Sequence, residues 1–195
     1  MRIVPVPLED RFVRLEPFED GLKDEGRAAL NCDPEAWAAM VGSAQGAHFD
    51  GWWDSALTAM RSGTRIAYAV RRRLDGAVVG TTSLYEINPA YRRCEIGSTF
   101  YRPEARGGAI NPACKRLLLG HAFDAGAVLV EIITDAVNAR SQAAILKLGA
   151  KAEGVLRKHK ITWTGRARDT AMFAVIDEDW PEVRDGLDRR LAALA

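Results

Sequence analysis

The chain has 195 residues, 48% of them hydrophobic and 27% charged, with 27 Lys plus Arg against 26 Asp plus Glu. That is the usage of one globular domain with a sizeable core, and it excludes a fibre, a disulfide scaffold and a long disordered chain. A net charge of +1 supplies no broad field for nucleic acid or an anionic membrane, so any anion site must be local.

No apolar run reaches the ~18 residues of a membrane span, and the opening MRIVPVPLEDRF lacks a signal-peptide core, which makes the cytoplasm the expected compartment. Cys32, Cys94 and Cys114 are odd in number and widely spaced, and His48, His121 and His159 are scattered. Neither set matches a disulfide framework or a zinc pattern, so reduced thiols and no metal are expected, with Cys114 and His121 on one buried helix face.

In chain order, RFVRLEPF alternates apolar and polar residues and predicts a strand ending near Pro17. Residues 20–61, rich in Ala, Glu, Asp and Trp and broken at Asp33-Pro34 and by the Gly-rich VGSAQGAHFDG, predict two or three short helices. Trp37, Trp52 and Trp53 fall there, as core packing or as a wall over a site. From Arg65 the period becomes two: RIAYAVRRRLDGAVVGTTSLYEI predicts a hairpin through Asp75-Gly76, and RRCEIGSTFY a third strand of a meander. Strict alternation puts Glu95, Gly97 and Thr99 on one face of that strand and Cys94, Ile96 and Phe100 on the other.

Next, Asn111 is a candidate N-cap with Pro112 at the first helical position, and Cys114, Leu117, Leu118 and His121 mark a helical face ending before Gly126. AVLVEIITDAV reads as a buried strand, and Asn138 caps a further helix with Ala144, Ile145 and Leu148 facing inward until Gly149. GVLRKHKITW and RDTAMFAVI predict two strands across Thr164-Gly165, with Glu153-Gly154 as the entry to that hairpin and Arg168-Asp169 as a strand-edge ion pair. An amphipathic helix begun by Pro181 closes a single mixed α/β domain over residues 1–195.

The turn RGGAIN at 106–111 sits between a strand end and a helix start, where free N–H groups and the helix dipole favour an anion and Arg106 adds charge. It is neither a Walker loop nor GxGxxG. Taken alone, it serves equally well as a plain chain turn.

Three ordered blocks, EIGSTFYRPEARGGAINPACKRLLLGHAF, NARSQAAILKLGAKAEGVLRKH and GRARDTAMFAVIDEDWPEV, resemble the GNAT acetyltransferase superfamily, in its branch of RimJ/RimL-type ribosomal-protein N-terminal acetyltransferases. The resemblance implies an α/β (α+β) GNAT fold: a mixed sheet of about seven strands with a β-meander, splayed middle strands and flanking helices. It implies acetyl-CoA as cosubstrate, no metal, and a primary amine as acceptor, either a protein N-terminus or a small molecule. No nucleic acid or membrane partner is expected, and the fold admits a homodimer. Backbone amides of Arg106, Gly107, Gly108, Ala109, Ile110 and Asn111 would hold the coenzyme pyrophosphate, although Ala109 stands where the family has glycine and Asn111 where it has glycine or alanine. Thr99, Phe100 and Tyr101 would pair with pantetheine as an added strand.

The chemistry needs a base to deprotonate an ammonium and a donor for the leaving thiolate. Glu95 is the first candidate base, its alternative being a surface ion pair with Arg92 or Arg93; His159 is the second candidate. Asn138 and Ser141 match the family's NxxS, contacting pantetheine or protonating the departing sulfur, with helix capping as the bland alternative. The leading function is an acetyl-CoA-dependent N-acetyltransferase working by direct attack on the thioester. Its alternatives are a catalytically weak or inactive acyl-CoA-binding module and a nucleotide-binding protein unrelated to acetyl transfer.

Overall fold

Period-two stretches build one eight-stranded sheet in the computed structural model, which describes residues 1–194. The strands are β1 (Leu8–Glu9), β2 (Val13–Pro17), β3 (Ile66–Arg72), β4 (Val78–Asn88), β5 (Arg93–Tyr101), β6 (Leu129–Asp135), β7 (Lys151–Ile161) and β8 (Ala167–Ile176). They lie in the order β1-β2-β3-β4-β5-β6-β8-β7, antiparallel except for β5 and β6. The eighth strand, beyond the seven expected, is β1, a two-residue element too short to show a period.

The helices are α1 (Lys23–Leu30), α2 (Pro34–Ala38), α3 (Phe49–Arg61), α4 (Ile110–Asp124), α5 (Ala139–Leu146) and α6 (Trp180–Ala192). Alternation along β3 divides the core between two faces. Ile66, Tyr68 and Val70 join Leu84, Ile96, Leu118, Leu119 and Leu187, while Ala67 and Ala69 join Phe18, Trp37, Phe49 and Trp53 beneath α1–α3. Trp37 and Trp53 are therefore core; Trp52 is half-buried.

Alternation fails inside β5, and that failure shapes the site. Ser83 pairs with Gly97 and Thr81 with Phe100, so β5 carries one extra residue, and Ser98 adopts φ 47°. The bulge sends Phe100 to the Trp37 side, on the face of Glu95 and Gly97, and turns Thr99 toward α4. Thr99 thus does not share a face with Glu95, nor Phe100 with Cys94 and Ile96. Gly80 sits opposite: a Cβ there would stand against the Phe100 carbonyl oxygen and within 2.8 Å of Tyr101 Cδ1.

Other departures are local. Cys114 is buried but His121 is half-buried, bonded through Nε2 to the Val4 carbonyl. β7 starts at Lys151, so Gly154 falls at a bulge within the strand instead of opening the hairpin. Arg168 is buried while Asp169 accepts from the Lys158 N–H at 2.7 Å, so the two form no edge pair. Gly80→Ala should cost about 1–3 kcal/mol by urea denaturation, because the added methyl has no room between the bulge and Tyr101.

Candidate functional site

β5 and β6 pair over four residue pairs only, Arg93–Ile96 with Leu129–Ile132, and then part. The gap opens into a cleft of about 1390 Å³, lined on one side by β5, the 106–112 turn and α4, and on the other by β6 and α5. The helices α2 and α3 wall its far end. The β7–β8 turn reaches across as well, Trp163 Nε1 donating to the Trp37 carbonyl at 2.8 Å.

At the turn, Gly107 takes φ 81°, a conformation suited to glycine, and Ala109 is the residue before the first turn of α4 with φ −75° and ψ −21°. Alanine at 109 is therefore unstrained, and Asn111 lies inside the helix instead of capping it. The N–H groups of residues 107–111 donate to no acceptor among the described residues, and Pro112 has none to donate. A Cβ at Gly108 would meet only open space. Five free donors at the positive end of a 15-residue helix suit a pyrophosphate. The Arg106 guanidinium is already held, Nε by the Tyr101 carbonyl at 2.8 Å and Nη1 by Asp33 at 2.6 Å, with Phe100 beneath it.

Glu95 faces the cleft with its side chain 13% exposed, and neither Arg92 nor Arg93 pairs with it: Arg92 bonds the Gly126 carbonyl and Arg93 meets Glu131 at 3.3 Å. Its pKa is pushed up to about 7, mainly by burial and further by Glu131 and Glu86, against the opposing charges of Lys160 and Arg168. Gly97 leaves it room, since a Cβ there would come within 2.8 Å of Glu95 Oε1. His159 is exposed on β7 and does not line the cleft. Asn138 does cap α5, its side chain accepting from the Ser141 N–H at 3.0 Å, and both residues line the cleft.

Two cations escaped the sequence reading. Lys115 is 4% exposed, its Nζ donating to Thr99 Oγ1 at 2.8 Å, and Arg65 is 6% exposed at the other end of the cleft. A signal existed for Lys115, which shares its helix stripe with Leu118 and Leu119. Burial lowers the Lys115 pKa to about 8, opposed by Cys114. Among the described residues, no group of His, Cys, Asp and Glu could hold a metal ion, and no helix is long and apolar enough to cross a membrane.

A mixed sheet split at the parallel β5–β6 pair, with unpaired N–H groups at the start of the following helix, has the architecture of an acyltransferase. The acetyltransferase (GNAT) domain model matches residues 13–151, and the chain belongs to this family of enzymes. A GCN5-related N-acetyltransferase from Brucella melitensis superposes with a TM-score of 0.88 at 29% identity, over 98% of this chain and 87% of that one. Two more distant structures share the fold. Mycobacterium smegmatis RimJ in complex with CoA-disulfide has a TM-score of 0.79 at 22% identity, covering 99% and 97% of the two chains. The ribosomal-protein-S5-alanine acetyltransferase from Vibrio fischeri has 0.74 at 17%, covering 90% and 98%. Among curated proteins, none matches this sequence.

A buried ammonium without a carboxylate partner costs stability wherever the folded state must carry the charge. With the folded pKa near 8 and the unfolded one near 10.5, the folded chain binds fewer protons between those values, so its stability rises with pH there. Lys115→Met should therefore be more stable than the parent by about 1–3 kcal/mol at pH 7, an advantage that shrinks between pH 8 and 10.5 in denaturation curves.

Proposed function

We propose that the protein is an acetyl-CoA-dependent N-acetyltransferase whose acceptor is a primary amine, of a protein N-terminus or a small molecule, attacking the thioester directly. The observation that carries this reading is that the free amides of the 107–111 turn and the Glu95 carboxylate belong to one cleft. Ala109 gives no ground for an inactive module, because its backbone is helical.

In this reading the amides of Gly107, Gly108, Ala109, Ile110 and Asn111 hold the pyrophosphate, and Arg106 fixes the turn through Asp33 and the Tyr101 carbonyl. Beyond the bulge, Thr99, Phe100 and Tyr101 offer the β5 edge left free by β6, to which pantetheine amides add as a short strand. Glu95 takes a proton from the acceptor ammonium; the amine nitrogen then bonds the carbonyl carbon, the carbon–sulfur bond breaks, and the nitrogen's second proton replaces the one that Ser141 gives up to the sulfur. The Ser141 hydroxyl, positioned by the Asn138 cap, hands a proton to the departing thiolate. Lys115 adds positive charge to the wall beside Thr99, where that anion develops.

Glu95→Gln should lower kcat/KM by about 10²- to 10⁴-fold in a coenzyme-release assay, while the parent activity rises with pH through about 7 as the carboxylate ionises. Since a raised carboxylate pKa makes the charged form costly above pH 7, this variant should be no less stable than the parent at pH 8. Full activity in Glu95→Gln, or a pH profile flat from 5 to 9, would remove Glu95 from the mechanism. Arg106→Ala should weaken acetyl-CoA binding about tenfold in calorimetry by releasing the turn, and an unchanged affinity would show that the turn needs no such anchor.

A further inference from the structure

Arg65, the residue before β3, is buried without a counter-ion. Its Nε and Nη2 both donate to one oxygen, Ser83 Oγ, at 3.1 and 2.9 Å. The guanidinium sits 4.3 Å from the Tyr85 ring centroid and 5.8 Å from that of Trp52. Several other arginines are ion-paired, Arg71 with Glu16 and Glu25, Arg27 with Asp50 and Arg116 with Asp188; Arg168, also buried on the cleft wall, makes no ion pair among the described residues, but against burial its charge is favoured by Asp135 and Glu95. No carboxylate among the described residues pairs with Arg65, although burial disfavours its charge with only Tyr85 opposing. An arginine keeps its proton even so, which leaves a desolvated cation on the cleft wall awaiting an anion.

The geometry also says which kind. The side-on pair of N–H groups is taken by Ser83, while the end-on pair, one hydrogen each from Nη1 and Nη2, has no partner among the described residues. The two rings fix the plane of that fork, and two parallel donors in a fixed plane match a carboxylate. Tyr85 pairs across the sheet with Glu95, so the cation and the proposed base flank the same ring.

We infer that the acceptor is a primary amine that also carries a carboxylate, with Arg65 as the carboxylate-binding residue and Glu95 at the ammonium end. The inference rests on the acetyl-transfer reading and adds the substrate class to it. Either a free amino acid or a peptide with an acidic side chain presents this chemistry.

The test uses the full chain and Arg65→Gln in two arms. In the turnover arm, coenzyme release from acetyl-CoA is followed with free amino acids and their amides, and with dipeptide amides whose second residue is Glu or Gln. The carboxylate member of a pair should be favoured at least tenfold in kcat/KM by the parent and not by the variant. The free amino acids or the Glu dipeptides, whichever show that gap, identify the source. Amides used as well as carboxylates, or a gap that survives Arg65→Gln, would overturn the inference while leaving acetyl transfer standing. In the binding arm, calorimetry with an N-acetyl amino acid and its amide needs no turnover: binding that requires both the carboxylate and Arg65 supports the subsite even if no amine is acetylated, and binding indifferent to either sinks it. The melting temperature of Arg65→Gln should equal or exceed that of the parent; a marked fall would make Arg65 a scaffold residue and overturn the inference.

Discussion

Everything at the site depends on β5 and β6 letting go of each other. A parallel pair in the middle of a sheet normally continues its ladder, and here it ends after Ile96 and Ile132 while both strands run on. Two unpaired backbone edges facing one gap are expensive in a protein interior unless water or a ligand fills them. The Ser98 bulge adds a change of face, so that Glu95 and Phe100 lie on the Trp37 side of the sheet while Thr99 looks toward α4. The same few residues thus divide the cleft between a side facing α4 and a side facing Trp37.

Electrostatics separates site from scaffold just as sharply. Surface charges are paired, as in Lys23 with Asp50 and Asp54 or Arg72 with Asp75, contacts that contribute little each. Within the cleft Arg106 keeps a close partner in Asp33, but Glu95 has Lys160 only at 3.8 Å, and among the described residues Lys115 and Arg65 pair with no carboxylate. Keeping such groups buried lowers stability, and it is the arrangement expected where charges are held for a ligand.

Much of the architecture was legible because it follows local rules. The Asp75-Gly76 hairpin, the strand at AVLVEIITD and the Asn138 cap of α5 stand where period and turn chemistry put them. The bulge was not legible, since the small residues Gly97, Ser98 and Thr99 carry no apolar/polar contrast that would show a shift of phase, and one extra residue reversed the faces assigned to Thr99 and Phe100. Asn111 misled for a related reason: a good capping residue was displaced by two positions when helical geometry began at Ala109. Arg65 was read only as the start of a strand, because the absence of a counter-ion is a property of packing and not of sequence.

The most direct test of the account is isothermal titration of the purified protein with acetyl-CoA and, separately, with ATP. The account predicts stoichiometric acetyl-CoA binding with ATP silent, since ATP brings phosphates to the 107–111 amides but nothing to line the gap between β5 and β6. Binding of ATP alone, or of neither, would contradict the reading of that gap as the place where the acetyl donor lies.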